Sequence, residues 1–170
     1  MKRCRGGRLA IRMKSQALEA IKRHGEQAYP HECCGFLIGT VEDGQNLLTE
    51  LYKAENEWPA DISTDPATGK VESQRNRYLI TPEQYRKADT FARSLGQGII
   101  GYYHSHPDHP AVPSGFDLDH SCWPGESYII VSVAGGKAEV VNSYTKPDYS
   151  KFEKEEILIE NPDFGLLKHP

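Results

Sequence analysis

No run of apolar residues in this sequence reaches the length needed to cross a bilayer. The first residues are basic but lack the apolar segment of a secretory signal, so neither a membrane span nor export is expected. A basic excess is also missing. Twenty Lys and Arg stand against 24 Asp and Glu, a formal net charge of -4, which argues against a nucleic-acid-binding protein. The one basic cluster is Lys2, Arg3, Arg5, Arg8, Arg12 and Lys14. No aromatic residue interleaves with it, so residues 1–8 read as a flexible, solvated arm rather than a grip on RNA. Cysteine is sparse: Cys4, Cys33, Cys34 and Cys122, with no CxxC spacing. The adjacent pair Cys33-Cys34 is poorly placed to bridge, and a reducing, cytoplasmic setting is expected.

What remains is a chain of 170 residues, 38% hydrophobic and 26% charged, enough for one domain with one core. Residues 9–13 suit a short strand, and 14–28 a helix with Ala17, Leu18, Ile21 and Ala28 on one side and Ser15 helping to cap its start. The apolar run 34–39 reads as a buried strand. Glu42-Asp43-Gly44 marks a turn, and 46–54 its hairpin partner. Residues 55–77 are polar, with Pro59, Pro66 and Gly69 and little periodicity. A loop of that length inside a compact domain is either functional or a tolerated surface insertion.

Thr81-Pro82-Glu83-Gln84 opens a second helix, with Thr81 as N-cap and Gln84 completing a capping box. Strands are expected over 98–106, 127–133 and 138–144, the last two joined by Gly135-Gly136. The stretch 152–160 is ambiguous between helix and strand. The order is mixed, strands in hairpins with two or three helices between them, which gives one α+β domain over residues 9–160 and a tail over 161–170.

One constellation carries chemistry. His104 and His106 are two apart, so on a strand both imidazoles point to the same face. Pro107 and Pro110 then stop the strand. Ser114-Gly115-Phe116-Asp117 reads as a helix start, with Asp117 in the first turn. Two nitrogen ligands and a carboxylate suit zinc, and three protein ligands leave a fourth position open for water. Spacing alone leaves the choice contestable. His109, His120, Asp108 and Asp119 lie nearby, His109 beyond Pro107 reads as a solvent-exposed loop residue, and Ser114 with Asp117 is also a plain helix cap.

At these residues the sequence resembles the JAB/MPN/Mov34 superfamily in its metal-binding JAMM form. The motif of that form is H-x-H-P followed, after an interval, by S-x-x-D. Here His104-Ser105-His106-Pro107 and Ser114…Asp117 match it without departure, with seven residues between His106 and Ser114. Upstream, Glu32-Cys33-Cys34-Gly35-Phe36-Leu37-Ile38-Gly39 matches the E-x-C-G-x-L-x-G of bacterial-type members. The resemblance implies a curved mixed β-sheet flanked by helices, with a cytidine-deaminase-like core. It implies one Zn2+ per chain on His104, His106 and Asp117 with water as fourth ligand, Glu32 as general base and Ser114 as an oxyanion donor. The implied activity is a peptidase or isopeptidase acting after the C-terminal Gly-Gly of a ubiquitin-like or sulfur-carrier protein.

Three other readings stay open: a metal-binding scaffold without catalysis, a peptidase for cell-wall peptides, which would favour fusion to a second module, and a purely structural zinc site. Cys33 or Cys34 as ligand or nucleophile competes with their reading as small buried residues, and Cys122 reads as core or helix end. The segment 56–77 is expected to engage the substrate tail by edge pairing. The oligomeric state, the substrate and the released residue are not legible.

Overall fold

The computed structural model describes residues 10–120, 123–147 and 151–160. The N-terminal arm, the C-terminal tail, Cys4 and Cys122 lie outside the described residues. Strand β1 (Ala10–Lys14) runs directly into helix α1 (Ser15–Ala28). Lys14, still extended, holds the N-cap position without a side-chain hydrogen bond, and Ser15 is the first helical residue instead of its cap. The expected cap is displaced because the chain has no turn between strand and helix in which a hydroxyl could fold back.

Strands β2 (Cys34–Glu42) and β3 (Gln45–Ala54) form the expected hairpin. Its two-residue turn, Asp43-Gly44, has both φ values positive, at 51° and 78°, the turn that matches the twist of the strands. The following segment is not featureless: strands β4 (Ser63–Thr64) and β5 (Val71–Glu72) pair as a small antiparallel ladder within it. Helix α2 (Pro82–Ser94) starts as the sequence indicates, with the Thr81 hydroxyl accepting from the Gln84 amide. Gln84 does not close the capping box. Its side chain reaches across to the backbone of Glu55, accepting from Glu55 N at 2.7 Å and donating to Glu55 O at 3.0 Å.

Strand β6 (Gly98–Pro107), helix α3 (Gly115–His120), and strands β7 (Ser127–Ala134), β8 (Lys137–Thr145) and β9 (Glu153–Glu160) complete the chain. The ambiguous C-terminal stretch is therefore a strand. The sheet runs β1-β3-β2-β6-β7-β8-β9, and β9 pairs in parallel with β1, so the curved mixed sheet closes into a barrel. Pairs β1/β3 and β6/β7 are parallel, and the remaining neighbours are antiparallel.

Side chains alternate between two cores. Cys33, Leu37, Tyr103, Ile129, Val131 and Val133 pack with Ile21 of α1 on one face of the sheet. Cys34, Phe36 and Ile38 pack with Ala88 and Ala92 of α2 on the other. Two glycines of the upstream motif are explained by contact rather than chemistry. A Cβ on Gly35 would sit 2.3 Å from the ring of Tyr103, and one on Gly39 would sit 1.9 Å from the carbonyl of Leu47, where the β2/β3 register shifts. The fold thus delivers the C-terminal end of β6 and the start of β2 to the same side as α2 and the 55–77 segment.

Candidate metal centre

Strand β6 presents His104 and His106 to one face, with ring centroids 4.9 Å apart. Ser105 turns to the other, where its hydroxyl accepts from the Cys33 amide at 2.8 Å and locks β6 to the residue after Glu32. Beyond Pro107 the chain reverses through Asp108, whose φ is positive at 56°. The Asp108 carboxylate accepts from the Gly135 amide at 2.9 Å, and its other oxygen accepts from the Tyr29 hydroxyl at 3.0 Å. The returning chain places the Pro110 carbonyl 2.8 Å from His106 Nδ1. That carbonyl can only accept, so Nδ1 carries the proton and His106 Nε2 is left with a free lone pair.

The same reversal brings α3 against the histidines. Asp117 Oδ2 accepts from both the amide and the hydroxyl of Ser114, each at 2.6 Å, while the Ser114 oxygen accepts from the Asp117 amide at 3.2 Å. The cap and the candidate ligand are thus one arrangement: the capping bonds fix the carboxylate. His104 Nε2 lies 3.0 Å from His106 Nε2 and 3.0 Å from Asp117 Oδ1, and His106 Nε2 lies 3.7 Å from Asp117 Oδ2. In a tetrahedral zinc site with bonds near 2.0–2.1 Å the edges between ligand atoms are about 3.3 Å. The His104–His106 spacing and the nearer His104–Asp117 spacing are slightly inside that length, and with one ligand atom taken from each residue all three lie within 4.8 Å of one another, a cluster that an ion can draw together. Among the described residues, these three are the group whose ligand atoms converge in this way.

The electrostatics agree. All three side chains are buried. Burial holds His104 below its ordinary pKa despite the neighbouring Asp117, favouring the neutral imidazole that can ligate. Burial alone would push Asp117 up. His104 beside it and the hydrogen bonds from His104 and Ser114 outweigh that and hold the carboxyl well below the usual range. Glu32, 7% exposed, is the opposite case: burial first and then Asp117 push its carboxyl well above the ordinary value, and Arg77 only partly offsets them.

Glu32, His106 and Ser114 line one groove of about 1290 Å³, whose remaining wall comes from the 55–77 segment, the turn over residues 109–113 and α3. His109, Asp119 and His120 line this groove as well, but stand outside the converging group. His109 is exposed, and the ring of His120 stacks on Phe116 at 3.8 Å. Cys33 and Cys34 are buried in separate cores, and burial pushes the Cys33 thiol up to about 12 and Cys34 upward too, so both are small core residues. Sequence reasoning missed three neighbours that need tertiary partners to be seen. Tyr78 stacks on His104 at 4.7 Å, Trp58 meets Phe116 edge-on at 5.7 Å, and the Arg77 guanidinium lies 4.6 Å over the same Phe116 ring.

The chain is similar to several known proteins. A protein from Salinibacter ruber, known from its solution structure, is 40% identical and superposes with a TM-score of 0.66, covering 89% of this chain and 93% of its own. The desampylase of Haloferax volcanii is 27% identical over 129 residues, 74% of this chain and 82% of that protein. The Lys-63-specific deubiquitinase BRCC36 of Rattus norvegicus is 25% identical over 126 residues, 64% of this chain; the match spans only 43% of the rat protein. The profile of the prokaryotic homologs of the JAB domain matches residues 14–145. The chain belongs to that family, the prokaryotic branch of the JAB/MPN superfamily.

Proposed function

We propose that this protein is a zinc-dependent isopeptidase that hydrolyses an amide bond after the C-terminal Gly-Gly of a ubiquitin-like or sulfur-carrier protein, with residues 9–160 as its catalytic domain and the cytoplasm as its site of action. The observation that carries the reading is the convergence of one ligand atom each from His104, His106 and Asp117 to within 4.8 Å, beside a groove that Glu32 also lines. The similarity to a desampylase and to a deubiquitinase supports the substrate class.

His104, His106 and Asp117 are the proposed ligands. A zinc ion held there supplies Lewis acidity toward water and toward the scissile carbonyl. Glu32 is the proposed general base: its raised pKa suits a group that accepts a proton from the attacking water and returns it to the departing amine. His106 is held in one tautomer by Pro110, which keeps Nε2 turned to the site. Ser114 is the proposed oxyanion donor. It has a single hydroxyl proton, and this proton is given to Asp117, so the donation to substrate requires the hydroxyl to rotate away from Asp117. The two buried free thiols suit a reducing compartment.

The test is incubation with a sulfur-carrier protein extended past its Gly-Gly end, followed by mass spectrometry. Cleavage after the second glycine, lost with a chelator and cut to a low residual rate in Glu32→Gln, is the expected result. Undiminished cleavage in Glu32→Gln removes Glu32 from the mechanism, and cleavage of ubiquitin chains in place of the carrier moves the substrate assignment.

A further inference from the structure

Glu32 lies in neither a helix nor a strand. It sits between the end of α1 and the start of β2, where no ladder fixes its backbone. A general base there needs its main chain held by something else. Both of its backbone groups are taken by the 55–80 segment. The Glu32 amide donates to Gln74 O at 2.7 Å, and the Glu32 carbonyl accepts from Asn56 Nδ2 at 3.1 Å. Asn56 does more than this one contact. Its Nδ2 also donates to Arg77 O at 2.9 Å, and its Oδ1 accepts from the amides of Trp58 at 3.0 Å and Leu79 at 3.2 Å. Both N–H donors and both lone pairs of the carboxamide are thus engaged. Gln74 completes the clip, its side chain donating to Trp58 O at 2.6 Å and Asn56 O at 3.3 Å.

We infer that Asn56, seconded by Gln74, is a positioning residue for the general base: the long segment is the scaffold that aims Glu32. The inference rests on the assignment of Glu32 made above. Asn56 makes no hydrogen bond to His104, His106 or Asp117, so the ligand set does not depend on it directly. It binds the carbonyl of Glu32, which shares one peptide group with the Ser105-bonded amide of Cys33. The Glu32 main chain is therefore gripped by β6 on one side and by Asn56 on the other. Removing the carboxamide frees one grip and strands four partners: the carbonyls of Glu32 and Arg77 and the amides of Trp58 and Leu79.

The experiment uses the full chain as Asn56→Ala, Glu32→Gln and the double variant. One readout is amide hydrogen exchange of the metal-free protein. The others are zinc content and the kinetics of cleavage of a carrier protein extended by one residue past Gly-Gly. The expected result is faster exchange at the Glu32 amide and unchanged zinc stoichiometry. Alongside these, kcat falls about 10²-fold with KM within about twofold, the loss expected of a base misplaced by about 1 Å. In the Glu32→Gln background, read on the residual rate with excess enzyme, the same substitution has no further effect, because Asn56 acts only through that carboxylate.

Unchanged exchange at Glu32, or an equal loss from Asn56→Ala in both backgrounds, overturns the inference. Full activity in Glu32→Gln alone overturns the role of Glu32, while the exchange result still decides whether Asn56 holds its backbone. Should Asn56→Ala not fold, Gln74→Ala removes the outer half of the clip and carries the same expectations for exchange and for the double variant.

Discussion

Glu32 is a carboxyl placed where its charge is disfavoured, by burial and by Asp117. The folded pKa is raised, so the stability tied to this group is present at low pH and is lost as pH rises through the folded value. At neutral pH the metal-free protein is then strained by the residue proposed to work for it. Glu32→Gln is expected to raise the melting temperature of the metal-free protein by about 3 °C while cutting cleavage to a low residual rate, which calorimetry and the peptidase assay read separately.

Asp117 has the reverse sign. Its depressed pKa contributes stability that is present above the ordinary carboxylate value and lost as pH falls toward the folded one. Metal-free Asp117→Asn is expected to be less stable at pH 7 and to lose less of its stability on acidification below about pH 4, followed by circular dichroism. The residue scale is also where sequence reading was sharpest and most limited. The same-face geometry of His104 and His106 follows from strand periodicity, and Asp117 from cap spacing. Glu32, the oxyanion role of Ser114 and the choice of Asp117 over its neighbours as ligand came only with the family resemblance, since nothing local separates Glu32 from other carboxylates. Asn56 and Tyr78 carry no local signal, because their contacts are with residues far along the chain.

At the scale of elements, α1, α2 and the central strands were legible because each has one buried face and hence a period. The places that went otherwise share a cause. Ser15 was displaced from a cap because no turn precedes it, and Gln84 left its capping box because the backbone of Glu55 competes for the same amide. The ladder β4/β5 is only two residues per strand, too short to show alternation. Thr81 keeps its role, and Thr81→Ala is expected to cost about 1 kcal/mol in chemical denaturation. Gln84→Ala leaves that cap intact but frees the start of the 55–77 segment. Its expected signature is increased proteolytic nicking of that segment with little change in global stability, checked by limited proteolysis.

At the scale of the molecule, α+β class and a curved mixed sheet were legible, and closure was not. The strand that closes the barrel, β9, is rich in Glu and Lys, its one buried residue is Glu155 and Ile159 is exposed, so its pattern does not declare a strand. Ile157 is partly buried where it pairs with Ile11 across the seam, and Ile157→Ala is expected to cost about 1–2 kcal/mol in urea unfolding. Zinc at 100 times its dissociation constant is expected to stabilise the fold by about 2.7 kcal/mol, an increment removed by a chelator.

The β1/β9 seam joins Ala10 to Glu156, nearly the two ends of the described chain. Such a contact has a high contact order and forms late. During synthesis, at roughly 5–20 residues per second, His104, His106 and Asp117 all emerge before the closing strand exists. The nascent chain therefore carries its whole ligand set while the sheet is still open on one side. Capture of an ion by the proposed ligands and closure of the barrel would then be separable in time, and an ion captured early would hold β6 and α3 together while the last strand arrives.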